Sequence, residues 1–226
     1  MYPFKVRKGN AVSSRRGFLK VPPTEWGEVL QGNIIEYFWN NGEHDGLYID
    51  CGAAYGISTV SMAHKYKKVL AIECEYLNYK VLKENCSYYD NIETLYMAVG
   101  DREDSVTVHS YKDSPLLSYV SDEGKTRTER AVYGLRPDRF TDNITMKTID
   151  SLVEPFEKVN AIKIDVEGYE LPAVKGAMNT LKNNNILLIV ECFKKNHRQE
   201  KLIQMMEDIG YRYIESLTKF DIVFTR

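Results

Sequence analysis

Long apolar runs are missing from this sequence. The longest uninterrupted aliphatic stretch, Ile186 to Val190, has five residues, whereas a helix crossing a bilayer needs about 20; no transmembrane segment is expected. An excess of one charge is missing too. Lys and Arg number 30 against 32 Asp and Glu, a formal net charge of −2, which excludes an overall basic coat for nucleic acid. With 27% charged and 43% hydrophobic residues, the chain is not a disordered polyelectrolyte. Cysteine is sparse: Cys51, Cys74, Cys86 and Cys192 show no CxxC spacing. That argues against a zinc site or a disulfide framework and for a reduced, cytoplasmic protein. Met1 to Lys20 holds six basic residues and no acid, but no apolar stretch follows, so it does not read as a secretory signal. Lys5, Arg7, Lys8, Arg15, Arg16 and Lys20 form a basic arm that no aromatic stacking pattern accompanies. Such runs are usually solvated, and nucleic acid is not the expected partner.

What is present is an alternation of short apolar runs with helical patterns, the signature of an α/β protein built on a mainly parallel sheet. Leu47 to Asp50, Val69 to Glu73, Thr94 to Val99, Ala161 to Asp165 and Ile186 to Glu191 read as strands. Leu77, Val81 and Leu82 mark one helix face; Val174, Ala177, Met178 and Leu181 mark a second; Leu202, Ile203, Met206 and Ile209, closed by Gly210, mark a third. Tyr211 to Ser216 and Asp221 to Thr225 would close the sheet as an antiparallel hairpin. At 226 residues one domain is expected over 46–226, preceded by the basic arm and a covering helix over 1–45. Thr24 is placed to cap that helix, with Trp26, Val29, Leu30, Ile34 and Phe38 available for burial. Ser110 to Met146 lacks a period and reads as an insertion or substrate loop.

Three segments carry chemistry. In Tyr48-Ile49-Asp50-Cys51-Gly52-Ala53-Ala54-Tyr55-Gly56 a strand enters a glycine turn and then a helix. Such a turn lets backbone approach a ligand, although any strand-turn-helix may use glycine. Gly52 and Gly56 give GxxxG and not the GxGxxG of dinucleotide-binding enzymes, which favours S-adenosylmethionine over NAD. Glu73 ends the next strand, 21 residues after Gly52, where a carboxylate can accept hydrogen bonds from both ribose hydroxyls; the bland alternative is a solvated acid. Ala98, Val99 and Asp101 close the third strand, with room for an adenine ring beside Val99. The third segment, Ile162-Lys163-Ile164-Asp165-Val166-Glu167-Gly168-Tyr169-Glu170, delivers Asp165, Glu167 and Glu170 to the carboxyl end of a buried strand. Clustered carboxylates raise one another's pKa or bind a cation, while Glu167 and Glu170 could instead complement the dipole of the following helix.

These motifs together resemble the FkbM-type methyltransferases, class I S-adenosylmethionine-dependent enzymes. The likeness runs over YIDCGAAYG, VLAIECEYLNYKVLKEN, AVGD, MKTIDSL, IKIDVEGYELPAVKGA and ILLIVE. The family usually has Asn where this chain has Ala54. The resemblance implies a Rossmann-like fold of about seven strands with helices on both faces. It implies Asp50, Gly52, Ala54, Gly56, Glu73, Ala98, Val99 and Asp101 as cofactor-binding residues, with Gly52 and Gly56 against the methionine part, Glu73 on the ribose and Val99 bordering the adenine. Ser114 to Ser118 resembles a serine-containing segment of many members.

The expected reaction is O-methylation of a hydroxyl on a sugar or other small metabolite. Asp165 is the expected general base or cation ligand, with Glu167 and Glu191 as further carboxylates and Asp165 and Glu191 as candidate ligands of a divalent cation. His109, after the alternating Val106 and Val108, is a second candidate base. Two rivals stand beside this reading: an NAD-dependent oxidoreductase, and a non-catalytic binding module of the same fold.

Overall fold

A computed structural model describes residues 4–5, 18–19, 31–110, 118–121, 139–153, 158–194 and 197–226. Strand alternation sorts side chains to two faces of one sheet. Leu47, Ile49 and Cys51 of β3 (Leu47–Cys51) face one core with Leu70, Ile72, Ile162 and Ile164, while Tyr48 faces the other with Val69, Ala71 and Ala161. Strands buried on both faces need helices on both. The first core is closed by α4 (Ile149–Leu152), α5 (Glu170–Lys175), α6 (Met178–Asn183) and α7 (Arg198–Glu207); the second by α1 (Gly32–Asn41), α2 (Ile57–Ala63) and α3 (Tyr76–Cys86). Each fully buried Ile, Leu or Val adds about 1.5–3 kcal/mol.

The other strands of this sheet are β4 (Lys68–Glu73), β5 (Ile92–Tyr96), β10 (Val159–Ile164), β11 (Leu187–Glu191), β12 (Arg212–Ser216) and β13 (Asp221–Thr225), in the order β12-β13-β11-β10-β3-β4-β5. β5, β4, β3, β10 and β11 pair in parallel; β13 is antiparallel to β11 and to β12. The mainly parallel seven-stranded sheet with its C-terminal hairpin is therefore as the sequence implies. The chain winds outward from β3 to β5 and then resumes at β10 on the other side. The crevice between the carboxyl ends of β3 and β10 is thus a topological switch point, where open α/β sheets take their ligands.

Three expectations need correcting. The run from Thr94 to Val99 is not one strand: β5 stops at Tyr96, and β6 (Ala98–Val99) joins a second, four-stranded sheet ordered β6-β9-β7-β8. Its other strands are β7 (Asp104–Ser110), β8 (Tyr119–Ser121) and β9 (Arg139–Lys147), so the segment from Ser110 to Met146 is not simply an irregular insertion. The helical face from Val174 to Leu181 belongs to two helices. Gly176 lies at the break, and only glycine fits there, since a Cβ would lie 1.9 Å from the carbonyl oxygen of Gly100. In the N-terminal region α1 starts at Gly32, and its expected cap Thr24, with Trp26, Val29 and Leu30, lies outside the described residues. Phe4–Lys5 and Phe18–Leu19 pair antiparallel as β1 and β2. No helix among the described residues is long and apolar enough to cross a membrane.

Candidate functional site

The tips of β3, β4 and β10 are stitched together by backbone bonds. Gly52 and Ala53 N–H both donate to the Ile72 carbonyl at 3.0 Å, and Asp165 N–H donates to the Cys51 carbonyl at 3.0 Å. Gly52 has φ +79, and a Cβ on it would come 1.7 Å from the Asp165 carbonyl oxygen, so only glycine lets the β3 and β10 turns close on each other. Above these tips lies a cavity of about 320 Å³, lined by the Gly52–Tyr55 turn, Glu73, Met97 to Val99, and Asp165 to Glu167. That volume is in the range of small-molecule sites, ~300–1,000 Å³. The second sheet supplies a wall through Ser118 and Val120.

Glu73, at the tip of β4, is almost wholly buried. Its Oε2 accepts from Ala54 N–H at 2.9 Å and its Oε1 from Glu75 N–H at 2.7 Å. Burial raises its carboxyl to about 7, against the pull of those backbone donors. Each oxygen keeps a lone pair for a ligand. Ala54 holds φ +51, in the left-handed region that costs an L-residue about 1–2 kcal/mol. Asn visits this region more readily, a physical reason for Asn at this position in the family.

The opposite wall is acidic. Oxygens of Asp165, Glu167 and Glu191 all lie within 4.8 Å of one another. Burial, then the charge of Asp165, pushes Glu191 up to about 10 and Glu167 to about 8. Asp165 moves the other way. Burial works against it, but the Lys163 ammonium and hydrogen bonds from Glu191, Lys163 and Gln31 hold it below the usual carboxylate range. Lys163 stands opposite Asp50 in the β10–β3 register. Its Nζ lies 3.1 Å from Asp165 Oδ2 and 3.5 Å from Asp50 Oδ1, with the lysine side chain 2% exposed. Burial alone would lower the Lys163 pKa; the two carboxylates raise it instead.

Gly52, Ala54, Glu73, Ala98, Val99, Asp165, Glu167 and Glu191 line one cavity. Three residues expected at the site do not line it. Asp50 is fully buried beneath the turn, accepting from Ser58 and Thr59 hydroxyls, so it braces α2 and neutralises Lys163. Gly56, φ +86, starts α2 against Leu82. Asp101 is on the surface, paired with Arg102 at 3.2 Å. Glu170 also turns away: fully buried, it pairs with Arg198 at 2.8 Å and accepts from Gly168 N–H. His109 lies in the second sheet, stacked 4.9 Å from Tyr119 and edge-on to Phe140, and does not line the cavity. Ser114 to Leu117 lie outside the described residues; Ser118 is in the cavity wall.

Two residues were given no role from sequence. Lys163 had a signal, a lysine enclosed in the apolar strand Val159–Ile164, which must find carboxylates. Gln31 had none. Its Nε2 donates to Asp165 Oδ2 at 2.9 Å across 134 positions.

No curated protein matches the chain. Among solved structures, methyltransferase FkbM from Methylobacillus flagellatus KT is similar with a TM-score of 0.53 at 19% identity, over 80% of this chain and 43% of that one. The chain thus spans less than half the length of that relative. A SAM-dependent methyltransferase from Aquifex aeolicus matches at 12% identity and TM-score 0.45, over 91% of this chain and 98% of that one. M. jannaschii TYW2, solved with AdoMet, matches at 18% identity and TM-score 0.42, over 87% and 77%. The first of these likenesses identifies the fold as the class I methyltransferase fold, with the second sheet packed beside it. The family description "Methyltransferase FkbM domain" fits residues 50–213. That stretch begins at Asp50 under the glycine turn and takes in all the cavity-lining residues named above except Gln31, and on it the chain belongs to the FkbM methyltransferase family.

Proposed function

We propose that the cavity binds S-adenosylmethionine and that the protein moves its methyl group to the oxygen of a hydroxyl on a small molecule or glycan. One observation carries the cofactor assignment: the described lining residues include four carboxylates, Glu73, Asp165, Glu167 and Glu191, and no Lys or Arg. S-adenosylmethionine carries a sulfonium and an ammonium against one carboxylate, a net positive charge. NAD brings two anionic phosphates, for which the described lining offers no Lys or Arg while Asp165 is held as an anion. Glu73 takes the ribose hydroxyls on its free lone pairs, Val99 borders the adenine, and the methionine part lies along Gly52 to Tyr55. Gly56 shapes that turn from beneath. Asp50 acts on the cofactor only through the turn and Lys163, and Asp101 stands apart from the proposed cofactor.

In the transfer the acceptor oxygen attacks the methyl carbon, the sulfur keeps the electron pair of the breaking C–S bond, and the hydroxyl proton leaves to a carboxylate. The sulfonium is a good leaving group, so alignment and proton removal are what the protein supplies. Asp165 is the acid of the triad held as an anion, and it receives the proton. Glu167 sheds its own proton more readily once a sulfonium enters.

A second reading rests on the spacing of the three carboxylates. Hard oxygen donors within 4.8 Å of one another suit a divalent cation such as Mg²⁺ or Ca²⁺. A cation there would be held by Asp165, Glu167 and Glu191 and would lower the pKa of an acceptor hydroxyl. Cys51, Cys74, Cys86 and Cys192 are free thiols, which suits a reducing, cytoplasmic compartment. The test is incubation with methyl-labelled cofactor and fractionated small molecules, with and without EDTA, followed by mass spectrometry of labelled products. A labelled hydroxyl compound is expected; labelled carbon or nitrogen positions only, or no labelled product, would overturn the O-methyl reading.

A further inference from the structure

The family segment contains the glycine turn, Glu73 and the three clustered carboxylates, but among the described residues one cavity-lining side chain comes from before it. Gln31 precedes α1, whose Ile34, Ile35 and Phe38 are buried in the second core. Its carbonyl accepts from Ile34 and Ile35 N–H at 3.0 Å, so its backbone opens the helix. Its side chain makes no capping bond. Gln is not a favoured N-cap, and φ +58 puts it in the left-handed region, a cost that persists only where the surroundings fix the residue. The side chain instead reaches Asp165 Oδ2 at 2.9 Å, the oxygen that Lys163 Nζ approaches at 3.1 Å. Two donors converge on Oδ2, so the lone pairs of Oδ1 are those left for Glu191 and a ligand.

We propose that Gln31 is a positioning residue: anchored by α1, it fixes the rotation of the Asp165 carboxylate so that Oδ1 addresses the reacting end of the cavity. Lys163 approaches Oδ2 from the strand below, and Glu191 hydrogen-bonds the same carboxylate from the end of β11; the amide of Gln31 is the contact that ties Oδ2 to the start of α1 and so limits the remaining rotation. The N-terminal helix thereby completes the site that the family segment builds. This rests on the cofactor reading above, in which the sulfonium lies beside Asp165.

The test compares S-adenosylmethionine, which carries the sulfonium, with S-adenosylhomocysteine, a neutral thioether of the same shape. Calorimetry on the wild type, Gln31→Leu, Asp165→Ala and the double variant gives the ratio of the two affinities. Gln31→Leu is expected to weaken S-adenosylmethionine by about 3- to 10-fold, the net worth of one ordinary hydrogen bond, and S-adenosylhomocysteine by less than about twofold. In the Asp165→Ala background the same change is expected to leave the ratio unmoved. Equal weakening of both ligands, or no weakening of either, overturns the proposal, because a structural role alone would not separate them. If Asp165→Ala does not fold, the ratio for Gln31→Leu decides by itself. If the wild type binds neither ligand, the cofactor reading fails and the thermal midpoints of the four proteins judge Gln31. A loss of about 2–4 °C on Gln31→Leu that vanishes in the Asp165→Ala background upholds the contact with Asp165, and additive losses refute it.

Discussion

The carboxylates at the tip of β4 and at the tips of β10 and β11 face one cavity under opposite conditions. Glu73 is a single acid with a backbone N–H on each oxygen. Asp165, Glu167 and Glu191 are three acids crowded together, where Asp165 alone has a buried lysine, shared with Asp50, and a glutamine amide on it. The first arrangement is finished and needs only hydroxyls to complete it. The second relieves its crowding by keeping protons on Glu167 and Glu191, protons that a cationic ligand would displace. The two walls differ as the two halves of the proposed cofactor differ, one polar and neutral, the other cationic.

The change expected to have the largest effect removes the functional anion of the crowded wall. Asp165→Asn should cut methyl transfer by ~10²- to 10⁴-fold, the usual cost of a positioned base, while S-adenosylhomocysteine affinity changes far less; parallel losses of rate and affinity would make Asp165 a cofactor contact only. Removing the cation that sustains the wall comes next. Lys163→Met leaves Asp50 and Asp165 without their ammonium, and breaking a buried pair from one side costs about 3–5 kcal/mol, to be read from urea unfolding. A loss under about 1 kcal/mol would show that Asp50 and Asp165 do not depend on it.

At the finished wall, Glu73→Ala strands the Ala54 and Glu75 amides and removes the proposed ribose acceptor. Cofactor binding should weaken by about 1–3 kcal/mol, and an unchanged dissociation constant in a folded variant would take Glu73 out of the site. The smallest effect is on pH dependence. The folded protein keeps protons on Glu167 to about pH 8 and on Glu191 to about pH 10, while the unfolded chain loses them at ordinary carboxylate values. The folded state therefore binds more protons across this window, and that part of its stability, complete in acid, is lost as pH rises through those values. Asp165, held low, has the opposite sign: its contribution is present above the ordinary carboxylate range and lost on acidification. Glu191→Gln should flatten the decline between pH 7 and 10 by up to ~1 kcal/mol per pH unit; a wild-type slope in urea titrations would remove Glu191 from the proton-holding pair.

The two walls also differed in how far they could be read from sequence. The glycine turn, Glu73 and the strand into Asp165 are local patterns, apolar runs ending in glycine or acid, and the seven-stranded sheet followed from the same runs. Glu191 was legible for the same reason, as the acid closing Leu187–Glu191. The second sheet was not. In β9 the sequence Arg-Phe-Thr-Asp-Asn-Ile-Thr-Met-Lys carries few apolar residues, Asn143 sits at φ +59, and the pairing with β7 shifts register between Val106 and Val108. Those features blur the alternation by which a strand announces itself. The apolar period runs through Gly176 as one helix, and only the tertiary approach of Gly100 shows why a glycine stands where the two helices part. Gln31 is a long-range contact of one polar side chain, and no local period encodes it.

In the proposed site an acid-lined cavity selects a cationic nucleoside cofactor over an anionic one. Calorimetric titration of the purified protein with S-adenosylmethionine, S-adenosylhomocysteine and NAD at one pH and ionic strength tests it most directly. S-adenosylmethionine is predicted to bind more tightly than S-adenosylhomocysteine and NAD to give no binding heat, whereas NAD binding with no response to either sulfur compound would contradict the account.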